Sequence, residues 1–110
     1  MISLHVYLTP KEGREEELDS AVQQGWLQAM SEQPGFLAAA VVRPYDDTKL
    51  EALDAIKPTS ALEAVSFWSS EAERLEWVAR PIHDEVFAGV IDASKGVSYT
   101  LQNVEGSWGL

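Results

Sequence analysis

Apolar residues first recur with a period of two. Ile2, Leu4, Val6 and Leu8 alternate with Ser3, His5, Tyr7 and Thr9, the spacing of a strand with one buried face, and His5 and Tyr7 share the opposite face. Pro10 and Gly13 end this strand, and Glu15, Glu16 and Glu17 place negative charge where a helix N-terminus favours it. Leu18, Ala21, Val22, Gly25, Trp26 and Ala29 then follow at helical spacing and predict one long helix. Pro34-Gly35 marks a turn before the apolar run Phe36 to Val42, which reads as a second strand with Arg43 at its end. Residues 44–61, bracketed by Pro44 and Pro58, read as a loop with a short helix. Its Thr48-x-x-Glu51 box and Leu50, Leu53 and Ile56 supply the helical signal.

A third strand spans Leu62 to Trp68, and a helical pair follows from roughly Glu71 to Asp92. Ser70 with Glu73 forms the S-x-x-E pattern that opens a helix. Ala72, Leu75, Val78 and Ala79 predict its apolar stripe, with Trp77 at the border and Glu73, Arg74, Glu76 and Arg80 toward water. Pro81 ends that helix and opens a second, whose inner positions are Ile82, Val86, Phe87 and Val90, with His83 in its first turn. Lys95-Gly96 introduces a fourth strand in which Val97, Tyr99 and Leu101 alternate with Ser98, Thr100 and Gln102. The tail from Asn103 to Leu110 carries Trp108 and no clear element. The order β-α-β-β-α-β is that of an α+β, ferredoxin-like fold with a four-stranded antiparallel sheet. Helices then cover one face only, while both faces carry apolar or aromatic residues, Tyr7, Phe67, Trp68 and Tyr99 among them. An uncovered face of this kind calls for a second copy of the chain, so a homodimer is expected.

At 110 residues and 45% hydrophobic content the chain reads as one globular domain, residues 1–110. Eighteen acidic against eight basic residues give a net charge of −10. Such a charge repels nucleic-acid phosphates and anionic lipid, so neither partner is expected. No apolar run reaches the length of a bilayer span, and MISLHVYLTPKEG lacks a basic start and a small-residue cleavage site, so the expected location is cytoplasmic. Without cysteine there is no disulfide, iron–sulfur cluster or thiolate nucleophile. His5, His83 and the scattered aspartates show no metal-ligand spacing, and no metal site is predicted. Gly106-Ser107-Trp108-Gly109 is not a nucleophile elbow, and no glycine-rich nucleotide loop occurs, so no cofactor is expected.

Four pieces in order, TPKEG after the first strand, QPGFL at Gln33 to Leu37, SFWSSEAERLEW at Ser66 to Trp77 and RPIHDEVF at Arg80 to Phe87, resemble the antibiotic biosynthesis monooxygenase superfamily of dimeric α+β barrels over nearly the whole chain. The resemblance implies a pocket for a small aromatic or apolar ligand. Haem-degrading members combine an asparagine on strand one, a helix tryptophan and an iron-ligating histidine. This chain keeps only the tryptophan, as Trp77, with Phe87 near the histidine's position, which disfavours haem degradation. The longer connection from Pro44 to Ala61 departs from the compact hairpin of many members.

Among cofactor-independent oxygenases of the superfamily the substrate supplies the electrons, and the protein stabilises its phenolate or enolate in a dry cavity. On that expectation His83, or His5, takes the phenol proton, and Tyr7 hydrogen-bonds the developing oxyanion. Trp68 and Trp77 hold the ring, with Phe36 and Phe87 beside them, and Arg43 adds positive charge. Each residue also has a plain structural reading. Tryptophans at strand ends and helix flanks are more often core, His83 is equally a helix-entry residue, His5 and Tyr7 fit a dimer contact, and Arg43 fits a surface ion pair. A non-catalytic ligand-binding dimer and a related isomerase or cyclase remain the alternatives, and oxygen dependence separates them from an oxygenase.

Overall fold

The computed structural model describes residues 1–110. Strand β1 (Ile2–Pro10) lies at the centre of a sheet of order β2-β3-β1-β4, with β2 at Phe36–Val42, β3 at Leu62–Trp68 and β4 at Ser94–Asn103. All neighbours are antiparallel. The α+β, ferredoxin-like architecture read from the sequence is the one observed, with β1 and β4 each longer than their alternating cores.

Register assigns the two faces. Leu4 pairs with Ser66 and Leu101, Val6 with Ala64 and Tyr99, and Leu8 with Leu62 and Val97, so these side chains share the helix-covered side. There Leu4, Val6, Leu8, Leu62, Ala64 and Trp68 are buried together with Leu18, Val22, Trp26, Met30, Trp77, Val90 and Ala93 from the helices. The other side carries Ser3, His5 and Tyr7, with Glu63, Val65 and Phe67 beside them. Trp68 and Tyr99 therefore belong to the covered side, and only Tyr7 and Phe67 of the four aromatics face away from the helices.

The first helical segment is not a plain α-helix. Helix α1 (Glu15–Ser20) passes through a π-helical stretch, Ala21–Trp26, into α2 (Leu27–Met30). The cause lies in its buried positions, Leu18, Val22, Trp26 and Met30, which recur at strict intervals of four. On an α-helix each four-residue step overshoots a full turn by about 40°, so three steps would carry Met30 far around from Leu18. The wider i→i+5 turn absorbs that excess and keeps all four on the sheet.

In the 44–61 connection α3 spans Asp47–Ala52, and its cap is Asp46, whose side chain accepts from the Lys49 backbone N–H, rather than the expected Thr48 box. Asp46 stands immediately before the helix, where its carboxylate reaches the free N–H groups of the first turn. Leu53 and Ile56 lie exposed beyond its end.

Helix α4 (Glu71–Ala79) starts at Ser70 as expected, with the Glu73 backbone N–H donating to Ser70 Oγ at 3.2 Å. Its face is the reverse of the expected stripe. Trp77 and Arg74 are buried, whereas Leu75 is 51% exposed and Val78 38%. Trp77 offers far more apolar area than Leu75, so its burial sets the helix rotation, and Arg74, one turn earlier, goes inward with it. Pro81 opens α5 (Pro81–Ala93), which buries Val90 and Ala93 and leaves Ile82 exposed rather than inside. No helix is long and apolar enough to cross a membrane.

Candidate functional site

Where α4 and α5 meet over the outer half of the sheet they leave a cavity of about 380 Å³. Its floor is Leu4 and Val6 of β1 with Val97 and Tyr99 of β4, and its walls are Trp26, Met30, Trp77, His83, Phe87 and Arg74. Val78, Ile91, Val97 and Tyr99 keep exposed area at its margin. The volume suits a molecule of two or three fused rings, within the ordinary range of small-ligand sites.

Four aromatic rings form a continuous wall. Trp26 and Phe87 lie 5.0 Å apart between centroids, His83 stacks on Phe87 at 5.5 Å and 26°, and Trp77 meets the His83 ring edge-on at 5.1 Å. These distances are those of favourable aromatic contact, and they clamp the imidazole between two hydrophobic rings. Its position on the chain is set by Pro81, which starts α5 at the point where the His83 backbone N–H donates to the Arg80 carbonyl at 3.0 Å. On the outer side His83 Nδ1 is 3.2 Å from Asp84 Oδ1, while Nε2 makes no hydrogen bond within the protein. In the tautomer whose Nδ1 donates to this carboxylate, Nε2 carries the lone pair and can accept a proton.

Of the residues expected at the site, His83, Trp77 and Phe87 come together here. The others do not. Tyr7 and His5 stand on the open face of the sheet, with β1 itself between them and the cavity. Side-chain alternation sends them there, because Leu4, Val6 and Leu8 take the covered side. Trp68 is fully buried, its Nε1 donating to Ser66 Oγ at 3.1 Å and its ring in edge contact with Phe36 at 5.8 Å. Phe36 borders a separate shallow groove beside Leu27 and Ala40. Arg43 is ion-paired with Asp19 and ties the end of β2 to α1.

On the open face, Ser3 Oγ lies 2.9 Å from His5 Nε2, and His5 Nδ1 lies 3.0 Å from Glu63 Oε2. The arrangement imitates a hydrolase triad. Yet β1 is laddered to β3 on one side and β4 on the other, which commits its backbone N–H groups and leaves no donor pair for an oxyanion. We read it as a hydrogen-bonded surface chain. No group of three or more His, Asp or Glu side chains is placed to hold a metal ion.

Nine of the twelve lining residues were not expected at the site, and three of them bear on its chemistry. Trp26 could have been found from the four-residue spacing it shares with Leu18, Val22 and Met30. Arg74 could have been found from its three-residue separation from Trp77, which places the two on one helix face. Tyr99 follows from β4 register, which only the structure supplies.

The sequence pattern of antibiotic biosynthesis monooxygenases matches residues 1–89. No curated protein sequence matches. Among solved structures, a mutant of SnoaB, a cofactor-independent oxygenase from Streptomyces nogalater, superposes with a TM-score of 0.75 at 14% identity, covering 99% of this chain and 97% of that one. A protein from Arabidopsis thaliana gives a TM-score of 0.75 at 13% identity, covering 98% of this chain and 99% of that chain. A conserved protein from Methanosarcina mazei gives 0.70 at 11%, covering 92% and 89%. At such identities the structural likeness is one of fold, and the sequence pattern carries the assignment: the chain belongs to the antibiotic biosynthesis monooxygenase family.

Proposed function

We propose that the protein is a cofactor-independent monooxygenase acting on a small, flat aromatic substrate of the phenol, quinol or anthrone type. The observation that carries this reading is the imidazole of His83, held in an aromatic-walled cavity with Nε2 unpartnered and Nδ1 against Asp84. The substrate's acidic hydrogen goes to Nε2, and the solvent-screened Asp84 carboxylate serves chiefly to orient the imidazole through Nδ1. The electron-rich anion then reduces dioxygen directly. For an anthrone, one oxygen atom becomes the new carbonyl and the other leaves as water with the two hydrogens of the methylene carbon. Trp26, Trp77 and Phe87 hold the ring and exclude water, and Tyr99 takes the place first assigned to Tyr7 as the cavity's hydroxyl.

Oxygen uptake with anthrones, naphthols and quinols tests the proposal. Uptake above spontaneous oxidation is expected, falling at least about tenfold in His83→Ala, a floor set below the roughly hundredfold or more that a positioned base contributes. Unchanged uptake in that variant removes His83 from the mechanism. Binding without uptake leaves a ligand-binding protein or an isomerase.

A homodimer is the assembly that we propose for this activity. Phe67, Val65 and Tyr7 stay half-buried on the open face, with Val42 exposed at its edge, and one self-complementary patch around them satisfies both copies. Light scattering at micromolar concentration is expected to give twice the 12.1 kDa chain mass, and the single mass would refute the assembly.

A further inference from the structure

Arg74 is the one charged residue in the cavity lining, and its charge is answered only in part, by a single long ion pair to Glu71 outside the cavity. The residue is only 9% exposed. Its Nε is buried without a hydrogen-bond partner, and the nearest carboxylate oxygen, on Glu71, stands 3.6 Å from Nη2, outside hydrogen-bond reach. Glu71 is itself largely solvent-exposed, so its field at the guanidinium is screened. The rest of the lining offers no carboxylate: Asp84, next to His83, lies outside the cavity at 90% exposure, with its Oδ1 at 3.2 Å from His83 Nδ1.

A guanidinium has five donors in a flat fork and cannot shed its proton, so withdrawing it from water with one long, screened ion pair and a buried Nε left unpartnered is unfavourable. Burial of Trp77 accounts for the rotation that brings Arg74 inside, but not for the use of arginine where methionine or leucine would pack without that cost. In a chain of net charge −10 an anion is repelled at long range, so a buried local cation is the feature that would retain one.

We infer that Arg74 is a specificity residue of this site, and that the cavity takes an aromatic ligand carrying an ionised oxygen, a carboxylate or phenolate, paired with its guanidinium. This rests on the cavity being the ligand site proposed above and narrows its substrate class. The fork of Arg74 receives the oxyanion in two parallel hydrogen bonds while Trp77 and Phe87 cover the rings. Where the ionised oxygen is a phenolate, the same pairing stabilises the anion that His83 generates.

The test is binding by equilibrium dialysis of anthracene-2-carboxylate and its neutral carboxamide, with the ionisation of a coloured naphthol followed by absorbance in the bound state. The wild type is expected to bind the carboxylate at least about tenfold more tightly than the carboxamide, as a charge-assisted pair requires. Arg74→Met should bring the two ligands to within about twofold, and Arg74→Lys should keep part of the preference. Replacement by methionine removes a buried charge while filling similar volume, so the variant is expected to fold, and its thermal unfolding checks this. A carboxylate preference indicates a ligand with its own acid group. A bound naphthol that ionises at lower pH in the wild type than in Arg74→Met indicates a phenolate formed in the site. Equal binding of acid and amide together with unchanged naphthol ionisation overturns the inference, as does a preference that survives Arg74→Met. Oxygen uptake with a neutral anthrone is scored separately: uptake without anion preference refutes only the role of Arg74, and anion preference without uptake refutes only the oxygenase reading.

Discussion

At the scale of single residues the chemistry that we propose rests on a few groups whose positions have different origins. The position of His83 in the cavity wall was legible because Pro81 fixes the start of α5 and leaves little freedom two residues later. The placement of Trp77 and Phe87 beside it was legible from their places on the same two helices. Tyr7 and His5 were misplaced because strand alternation shows that they share a face, but not which face the helices cover. Arg74 was misread since a charged side chain is normally assigned to water, a rule that fails when a bulkier neighbour on the same helix face sets the rotation. Gly35 illustrates the opposite case, a residue whose identity is fixed by two independent constraints. Its φ is +85°, and a Cβ there would lie 2.6 Å from Glu73 Cβ. The second contact cannot be relieved by turning the glutamate side chain, because its Cβ is fixed to the backbone of α4. Gly35→Ala is therefore expected to destabilise the fold by about 1–3 kcal/mol, read from denaturant midpoints. A change below a few tenths of a kcal/mol would show that the turn after α2 gives way freely.

At the scale of elements, boundaries followed sequence punctuation closely, whereas helix type and rotation did not. Pro34-Gly35, Ser70 and Pro81 each mark a start that the structure keeps. The π-helical stretch was hidden because its signature is a regular spacing of four, which passes for ordinary amphipathic periodicity unless the drift of about 40° per step is counted. Its wider turn places Trp26 against Phe87, so the cavity's rear wall depends on it. The two long helical layers are also tied at their ends. Arg14, before α1, donates to the Asp92 carboxylate at 2.6 Å and to the Asp92 carbonyl at 2.8 Å near the end of α5. The hydrogen bond from Arg14 holds the Asp92 carboxyl below its ordinary value of 3.8. A carboxyl depressed on folding adds stability that is complete above that ordinary value and is lost as pH falls through the lower folded value. Thermal unfolding between neutral and strongly acid pH is thus expected to show a smaller acid-induced loss in Asp92→Asn than in the wild type. Because the pair lies at the surface, the difference should be small and should shrink in high salt. Identical acid profiles for both proteins would mean that the contact makes no net contribution.

At the scale of the whole molecule, the ferredoxin-like sheet divides its two faces between two tasks. The covered face builds the core and, toward β4, the aromatic cavity. The open face, with the Ser3, His5 and Glu63 chain beside Phe67 and Val65, is left for the second copy that we propose. Element order and strand alternation were sufficient for this architecture, since the topology of a β-α-β-β-α-β chain leaves few alternatives. They were insufficient for the cavity, which arises where α4 and α5 diverge above β4, a matter of helix rotation and not of sequence spacing. The central claim, that His83 in this cavity launches direct oxidation of an aromatic substrate by dioxygen, is tested most directly by turnover under isotopically labelled oxygen gas. Mass spectrometry of the quinone then reports the origin of its new oxygen. We expect one labelled atom per product molecule, formed by wild type well above the rate in buffer and by His83→Ala at a rate near that of buffer alone. Product that carries unlabelled oxygen from water, or labelled product formed equally fast without the histidine, would contradict the account.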